Sequence, residues 1–319
     1  MNRLTHSFEF EITPVRPFNF NLTVENPAGW HLFTPFEIHR ENVLWTATHF
    51  SNSLTGVKLS SRGSVDDPMV VANIFSRDNL EQTQQKKITK QIGKALGADQ
   101  DLSKFYKIAR NDSILKYAVE DLYGMHDTFP DSIFPDAVLA ILLQMAKLKR
   151  SNEMRSSFML NYGELAEFDQ KKIVAWPLPE RIAGVSENDL AKRCKVGYRA
   201  KNIVKLAKRL ANGDFPTTEQ LTNMEPKEAK KVLLELPGIG DYSADIINPH
   251  GGFPIDVWSA EVFGKLLFDQ KPENNREAVE KVKKEGMKRW GMWSWMAFFY
   301  IAQDLPNLSK KLEKNLRLS

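Results

Sequence analysis

The hydrophobic period changes once along this chain, near residue 80, and that change restricts it to folds in which a sheet is joined to a body of helices. Up to about residue 75, the stretches "FEFEITPV", "FNFNLTV", "GWHLF", "ENVLWTATHF" and "TGVKLSS" alternate apolar and polar residues and are separated by Pro, Gly, Asn and Ser. Alternation with period two is the mark of half-buried strands, and short breaks between them favour antiparallel pairing. From "DNLEQTQQKKITKQIGKAL" onward the spacing becomes helical, with Gly97, Asp99 and Asp101 punctuating the chain. Helical runs then follow one another, among them Pro135 to Met145, Asn152 to Tyr162, Arg199 to Asn212, Pro226 to Glu235, Val257 to Leu267 and Arg276 to Trp290. The reading is an α+β protein: an antiparallel β-sheet domain with a flanking helix over residues 1–95, packed on a larger helical domain over 96–319.

Composition narrows the function classes. The chain has 319 residues, 42% hydrophobic and 26% charged, enough for a sizeable core. No apolar run reaches the roughly 18 to 20 residues that span a bilayer. The start, "MNRLTHSFEFEITPV", shows no apolar stretch followed by a small-residue cleavage site, so an intracellular protein is expected. A single cysteine, Cys194, excludes an internal disulfide and an all-cysteine metal cluster, and the six histidines have no HxxxH or HxH spacing. Net charge is only +4, but Lys and Arg are dense from Lys147 to Arg155 and from Lys192 to Arg209. A polyanionic partner is permitted; a solvated helix face is the alternative.

The segment "LELPGIGDYSADII", Leu234 to Ile247, reads as two helices joined by Leu236-Pro237-Gly238-Ile239-Gly240. Glycine's freedom at positive φ lets the chain reverse sharply and leaves backbone N–H groups uncovered at the start of the next helix, where they and the dipole favour an anion such as phosphate. Ser243 could add a hydroxyl donor. An ordinary glycine-closed helix turn is the alternative. "NPHGGFPI", Asn248 to Ile255, then leads into Asp256 and "VWSAEVFGKLLF". Asp256 alone suits an N-cap.

Hairpin, Gly/Pro-rich loop and aspartate, in that order, resemble the helix-hairpin-helix (HhH-GPD) superfamily of DNA glycosylases. The likeness covers roughly residues 95 to 305 and includes "PDAVLAILLQMAKLKRSNEMRSSFMLNYGE" and "WPLPERIAGVSENDLAKRCKVGYRAKNIVKLA"; "LGADQDLSKFYKIARND" is similar to the AlkA-like alkyladenine branch. The resemblance implies base excision from duplex DNA, with Asp256 as the catalytic carboxylate and an N-terminal sheet. It implies a base pocket walled by Tyr242 and Trp258, gap-filling residues at Gln144 and Met145, and backbone contacts from Lys147, Arg199, Gly238, Gly240 and Ser243. No cofactor is required; a cation could sit on the backbone carbonyls of Leu236 and Ile239, with no side-chain ligand.

Relatives that also cut the strand carry a Schiff-base lysine where this chain has Tyr242, so the resemblance points to a monofunctional enzyme that uses water. The interval from Tyr242 to Asp256 is shorter than is usual in the family. Expected partners are damaged double-stranded DNA and no membrane, for a monomer in the nucleoid or nucleus. The alternatives are an oxidised-guanine (8-oxoguanine) glycosylase, suggested by the layout and the "GYRA" segment, and a catalytically silent DNA-binding hairpin protein. The tryptophans of "RWGMWSWMAFFY", Trp290, Trp293 and Trp295, could line a pocket or fill the core.

Overall fold

A computed structural model describes residues 2–25, 31–129, 132–269 and 276–316. It is α+β and divides into two compact units of discontinuous segments. One comprises residues 1–100, 124–220 and 236–238; the other comprises 101–123, 221–235 and 239–319. The unit that holds the strands also takes in helices between residues 124 and 220.

Among the described residues of the first unit, eight strands form two sheets: β1 (Asn2–Arg3), β2 (His6–Ile12), β3 (Ile38–Arg40), β4 (Val43–Phe50), β5 (Ser53–Gly63), β6 (Pro68–Ser76), β7 (Glu164–Phe168) and β8 (Lys171–Ala175). The larger sheet is antiparallel throughout, in the order β2-β6-β5-β4-β3. Leu44, Val57, Leu59, Val70, Ala72 and Ile74 point from it into a core completed by Ile88, Ile92 and Leu96, from and just after the helix Gln82–Ala95. The smaller sheet, β1-β7-β8, uses a hairpin inside the region whose spacing predicts only helices. Asp169 and Gln170 at its tip both adopt left-handed backbone (φ 44° and 58°), the geometry of a two-residue turn matched to strand twist. Its Phe168 lies over Gly56, where a Cβ would come within 2.5 Å of the ring.

"FNFNLTV" departs from its alternating pattern. Phe20–Val24 is a short helix because the Asn19 side chain accepts from Leu22 N (3.2 Å) and caps it, which lets Phe20, Thr23 and Val24 share one buried face. The strand expected at "GWHLF" begins outside the described residues, and residues 31–33 are not a strand.

The second unit is helical. Its core gathers Phe253, Phe263 and Trp290 in edge-on ring contacts 5.5 to 5.6 Å apart. Trp290 is 2% exposed and donates its indole N–H to Asp112 Oδ2 (3.0 Å), so it is a core residue rather than a pocket wall. Also buried is Asp304, on the helix Ser294–Lys311. Its Oδ1 accepts from the Asn307 amide (2.8 Å), while its Oδ2 and the Oδ2 of Asp121 are both buried with no donor among the described residues. Burial first, and then Asp121, outweigh the Asn307 amide and push the Asp304 pKa up to about 7. A proton on Asp304 supplies the donor that both orphan oxygens lack.

Candidate active site

In the second unit, Asp256 stands at the N-cap of the helix Val257–Phe268. The backbone at Asp256 is extended, and the carboxylate turns back so that Oδ1 accepts from Trp258 N (3.1 Å), Ser259 N (2.8 Å) and Ser259 Oγ (2.7 Å). Ser259 Oγ in turn accepts from Asp256 N (2.8 Å), closing a capping box. Among the described residues, every hydrogen bond to this side chain ends on Oδ1, and Oδ2 receives none. One oxygen therefore fixes the group and the other keeps its lone pairs and its share of the charge.

Tyr242 is half-buried in the helix Asp241–Ile247. Burial, and after it the negative charge of Asp256, push its phenol pKa above the ordinary value, so it is a neutral aromatic at any physiological pH. Trp258 is 53% exposed beside Asp256, large apolar surface that the core does not use. Ser243 is only 4% exposed, so it is packed inside the unit rather than offered at the surface as the sequence suggests.

The start of that helix carries an unexpected charge array. Lys230 Nζ contacts Asp241 Oδ1 (2.7 Å) and Asp245 Oδ1 (2.6 Å), and Lys283 Nζ contacts Asp245 Oδ2 (3.0 Å) and Asp241 Oδ2. Burial disfavours the Asp241 carboxylate, but hydrogen bonds from the two lysines prevail and hold its pKa below the ordinary value. Two lysines thus offset the acids of this helix's first turns. Only the Asp241/Asp245 spacing was readable locally; Lys283 arrives from a helix some forty residues away.

The first unit holds the remaining candidates. The helix Ile133–Leu143 ends at Gln144, and the next residue, Met145, has φ 49° and is 94% exposed. A non-glycine residue in left-handed backbone, presenting a thioether side chain wholly to solvent, is costly for a fold and useful for contact. Lys147, Lys149, Lys201, Lys205 and Lys208 are exposed around it and along the helix Arg199–Ala211. Two residues read from sequence as DNA contacts are instead engaged within the protein. Gln144 Nε2 donates to Gly238 O, and Arg199, 8% exposed, donates through Nη2 to Gln144 O.

Gly238 and Gly240 differ in what holds them. At Gly238, φ is 80°, and an added Cβ would lie 2.7 Å from Asn202 Nδ2. At Gly240, φ is −104° and a Cβ would meet nothing within 4 Å. Gly238→Ala is expected to cost roughly 1 to 3 kcal/mol through backbone strain and to weaken duplex affinity for damaged and undamaged DNA alike. Gly240→Ala should stay within about 0.5 kcal/mol of the parent. Thermal melts with anisotropy titrations check both, and equal effects at the two glycines would contradict the geometry.

A DNA-3-methyladenine glycosylase of Bacillus subtilis (strain 168) is 26% identical over 238 residues, which covers 73% of this chain and 77% of the relative. A 3-methyladenine DNA glycosylase structure from Archaeoglobus fulgidus superposes with a TM-score of 0.76 at 18% identity, covering 94% of this chain and 99% of the other. In sequence the chain is similar to a DNA glycosylase, and in fold to helix-hairpin-helix DNA glycosylases. The same fold is shared with a Clostridium acetobutylicum 8-oxoguanine glycosylase/lyase, at a TM-score of 0.69, 18% identity and 94% and 99% coverage. No family model matches the chain.

The sequence resemblance implies a hairpin cation. The carbonyls offered for it, on Leu236 and Ile239, belong to different units, and among the described residues no group of three or more His, Cys, Asp or Glu is placed to hold a metal. Among the described residues no helix is long and apolar enough to cross a membrane.

Proposed function

We propose that this protein is a monofunctional DNA glycosylase that takes an alkylated base out of duplex DNA and hydrolyses its N-glycosidic bond. The observation that carries this reading is the Asp256 carboxylate, anchored through one oxygen with the other left uncommitted beside Tyr242. As the bond from C1′ to the base nitrogen breaks, its electron pair leaves with the base and positive charge develops on the sugar. A fixed carboxylate stabilises that charge. Water then adds its oxygen to C1′ and releases a proton, leaving an abasic site. A silent DNA-binding protein has no use for such a carboxylate.

Tyr242 and Trp258 favour an alkylated substrate. Alkylation at a ring nitrogen places positive charge on a purine, and an electron-rich aromatic face attracts a desolvated cation more strongly than a neutral base. The neutral ring of Tyr242 supplies such a face and no amine. Met145 is assigned to the gap left by the extruded nucleotide, and the exposed lysines near it to backbone phosphates.

A panel of duplexes, each with one lesion, assayed with and without alkali and with borohydride, tests the reading. Strands should stay intact until alkali is added, and borohydride should trap no protein–DNA adduct, because Tyr242 cannot form a Schiff base. Tyr242→Phe should keep most activity, while Tyr242→Ala should lose roughly 1 to 3 kcal/mol of stacking. A trapped adduct would remove the monofunctional assignment. Release of oxidised guanine in preference to alkylated bases would favour the second substrate class, for which the Gly197-Tyr198-Arg199-Ala200 segment, with Tyr198 62% exposed, is the supporting feature.

A further inference from the structure

We infer that Arg199 is a positioning residue for Met145 and that Gln144 is a strap joining the Met145 turn to Gly238, so that neither side chain need touch DNA. The inference rests on the glycosylase reading and on contacts wholly within the first unit. The exposed Met145 makes its left-handed turn with little around it, and its orientation is set by its neighbours along the chain. On the N-terminal side, Gln144 is held twice: its carbonyl accepts from Arg199 Nη2, and its amide donates to Gly238 O. On the C-terminal side, Ala146 N donates to Leu143 O (3.3 Å), and Lys147 opens the next helix, accepting from Ser151 N at 3.0 Å. Gly238 in turn is packed against Asn202, three residues beyond Arg199 on the same helix. Turn, helix and hairpin residue thus close a clamp around the backbone that presents Met145.

The state of the Arg199 guanidinium agrees with this role. It is buried, its Nε has no hydrogen-bond partner among the described residues, and its face lies 4.6 Å from the centroid of the Tyr198 ring. An arginine that grips phosphate presents its fork to solvent. This one spends a donor on a carbonyl and its plane on a ring. The lysines at 201, 205 and 208, exposed on the same helix, have no such commitment among the described residues. Movement of the hairpin residue on duplex is thereby coupled through Gln144 to the residue that enters the gap.

The full chain should be measured on a duplex carrying an abasic-site analogue and on one carrying 2-aminopurine beside a lesion, whose fluorescence reports unstacking. Arg199→Ala is expected to reduce the 2-aminopurine signal and to slow single-turnover release about 10- to 100-fold, as small misplacements of working groups do. The slope of log K against log salt should not change. Lys201→Ala should lower that slope by about one and leave unstacking intact. Arg199→Ala added to Met145→Ala should change little more, since both remove one action. Arg199→Lys should fail to restore opening, because an ammonium lacks the planar fork. If Arg199→Ala does not fold, Gln144→Met removes the strap's donor at similar volume and should give the same pattern. A lowered slope, additive losses with Met145→Ala and rescue by lysine would together identify Arg199 as a phosphate contact and overturn the inference. Opening and slope are read without excision, so the strap is judged separately from the glycosylase assignment.

Discussion

Asp256→Asn is expected to lower single-turnover base release by about 10² to 10³-fold or more, the loss seen when one group aimed at developing charge is removed, with the fold and DNA affinity preserved. Asparagine is as good an N-cap as aspartate, and its carbonyl oxygen can take over the bonds that Oδ1 accepts from Trp258 N and Ser259 N. Only the negative charge disappears. Asp256→Ala removes the cap as well and should cost a further ~1 kcal/mol of stability without lowering the rate much beyond the Asn variant. That pairing separates the two duties of one side chain. Excision time courses, thermal melts and binding to an abasic-analogue duplex are the measurements. An Asn variant with near-parental release would remove Asp256 from the chemistry, and a collapse of stability in that variant would mean the cap is charge-dependent.

The second large effect concerns stability and lies away from DNA. Asp304 holds its proton up to about pH 7 in the folded chain, against an ordinary value of 3.8. Between these values the native state binds a proton that the unfolded state has released, so stability is fully present below pH 4 and falls as pH rises to about 7. With about 1.4 kcal/mol per pKa unit, the loss is on the order of 2 to 4 kcal/mol once coupling to Asp121 is allowed for. Asp304→Asn should remove this dependence. Its amide can donate permanently to the Asp121 oxygen that lacks a partner, while its carbonyl keeps the Asn307 contact. Denaturant titrations at pH 4.5 and pH 8 should show the variant gaining on the parent at the higher pH. A parallel pH dependence in both proteins would show that Asp304 ionises freely.

What the sequence determined by itself is local. A period-two pattern specifies strands, and β2, β4 and β5 lie where "FEFEITPV", "ENVLWTATHF" and "TGVKLSS" place them. Backbone chemistry is equally local: Gly238 needs positive φ within its own turn, and Asp256 caps the helix that follows it. The order of hairpin, Pro/Gly loop and aspartate therefore carries the resemblance to helix-hairpin-helix glycosylases without coordinates. Short-range signals competed where that reading failed. Asn19 capped a helix inside an alternating run, and Asp169-Gln170 turned a β-hairpin within a helical stretch.

Tertiary structure decided the work of each polar side chain. Nothing within a few residues of Arg199 distinguishes a guanidinium facing phosphate from one buried against Gln144 O, because the partner lies 55 residues away. Lys283 reaches Asp245 across 38 residues, and Ser243, polar and apparently well placed, is buried by packing that its own helix does not reveal. The physical reason is range. Backbone geometry and capping are settled over a few bonds, whereas burial, ion pairing and the choice between a protein carbonyl and a phosphate depend on which distant segments the folded chain brings within 3 to 4 Å of a charged group.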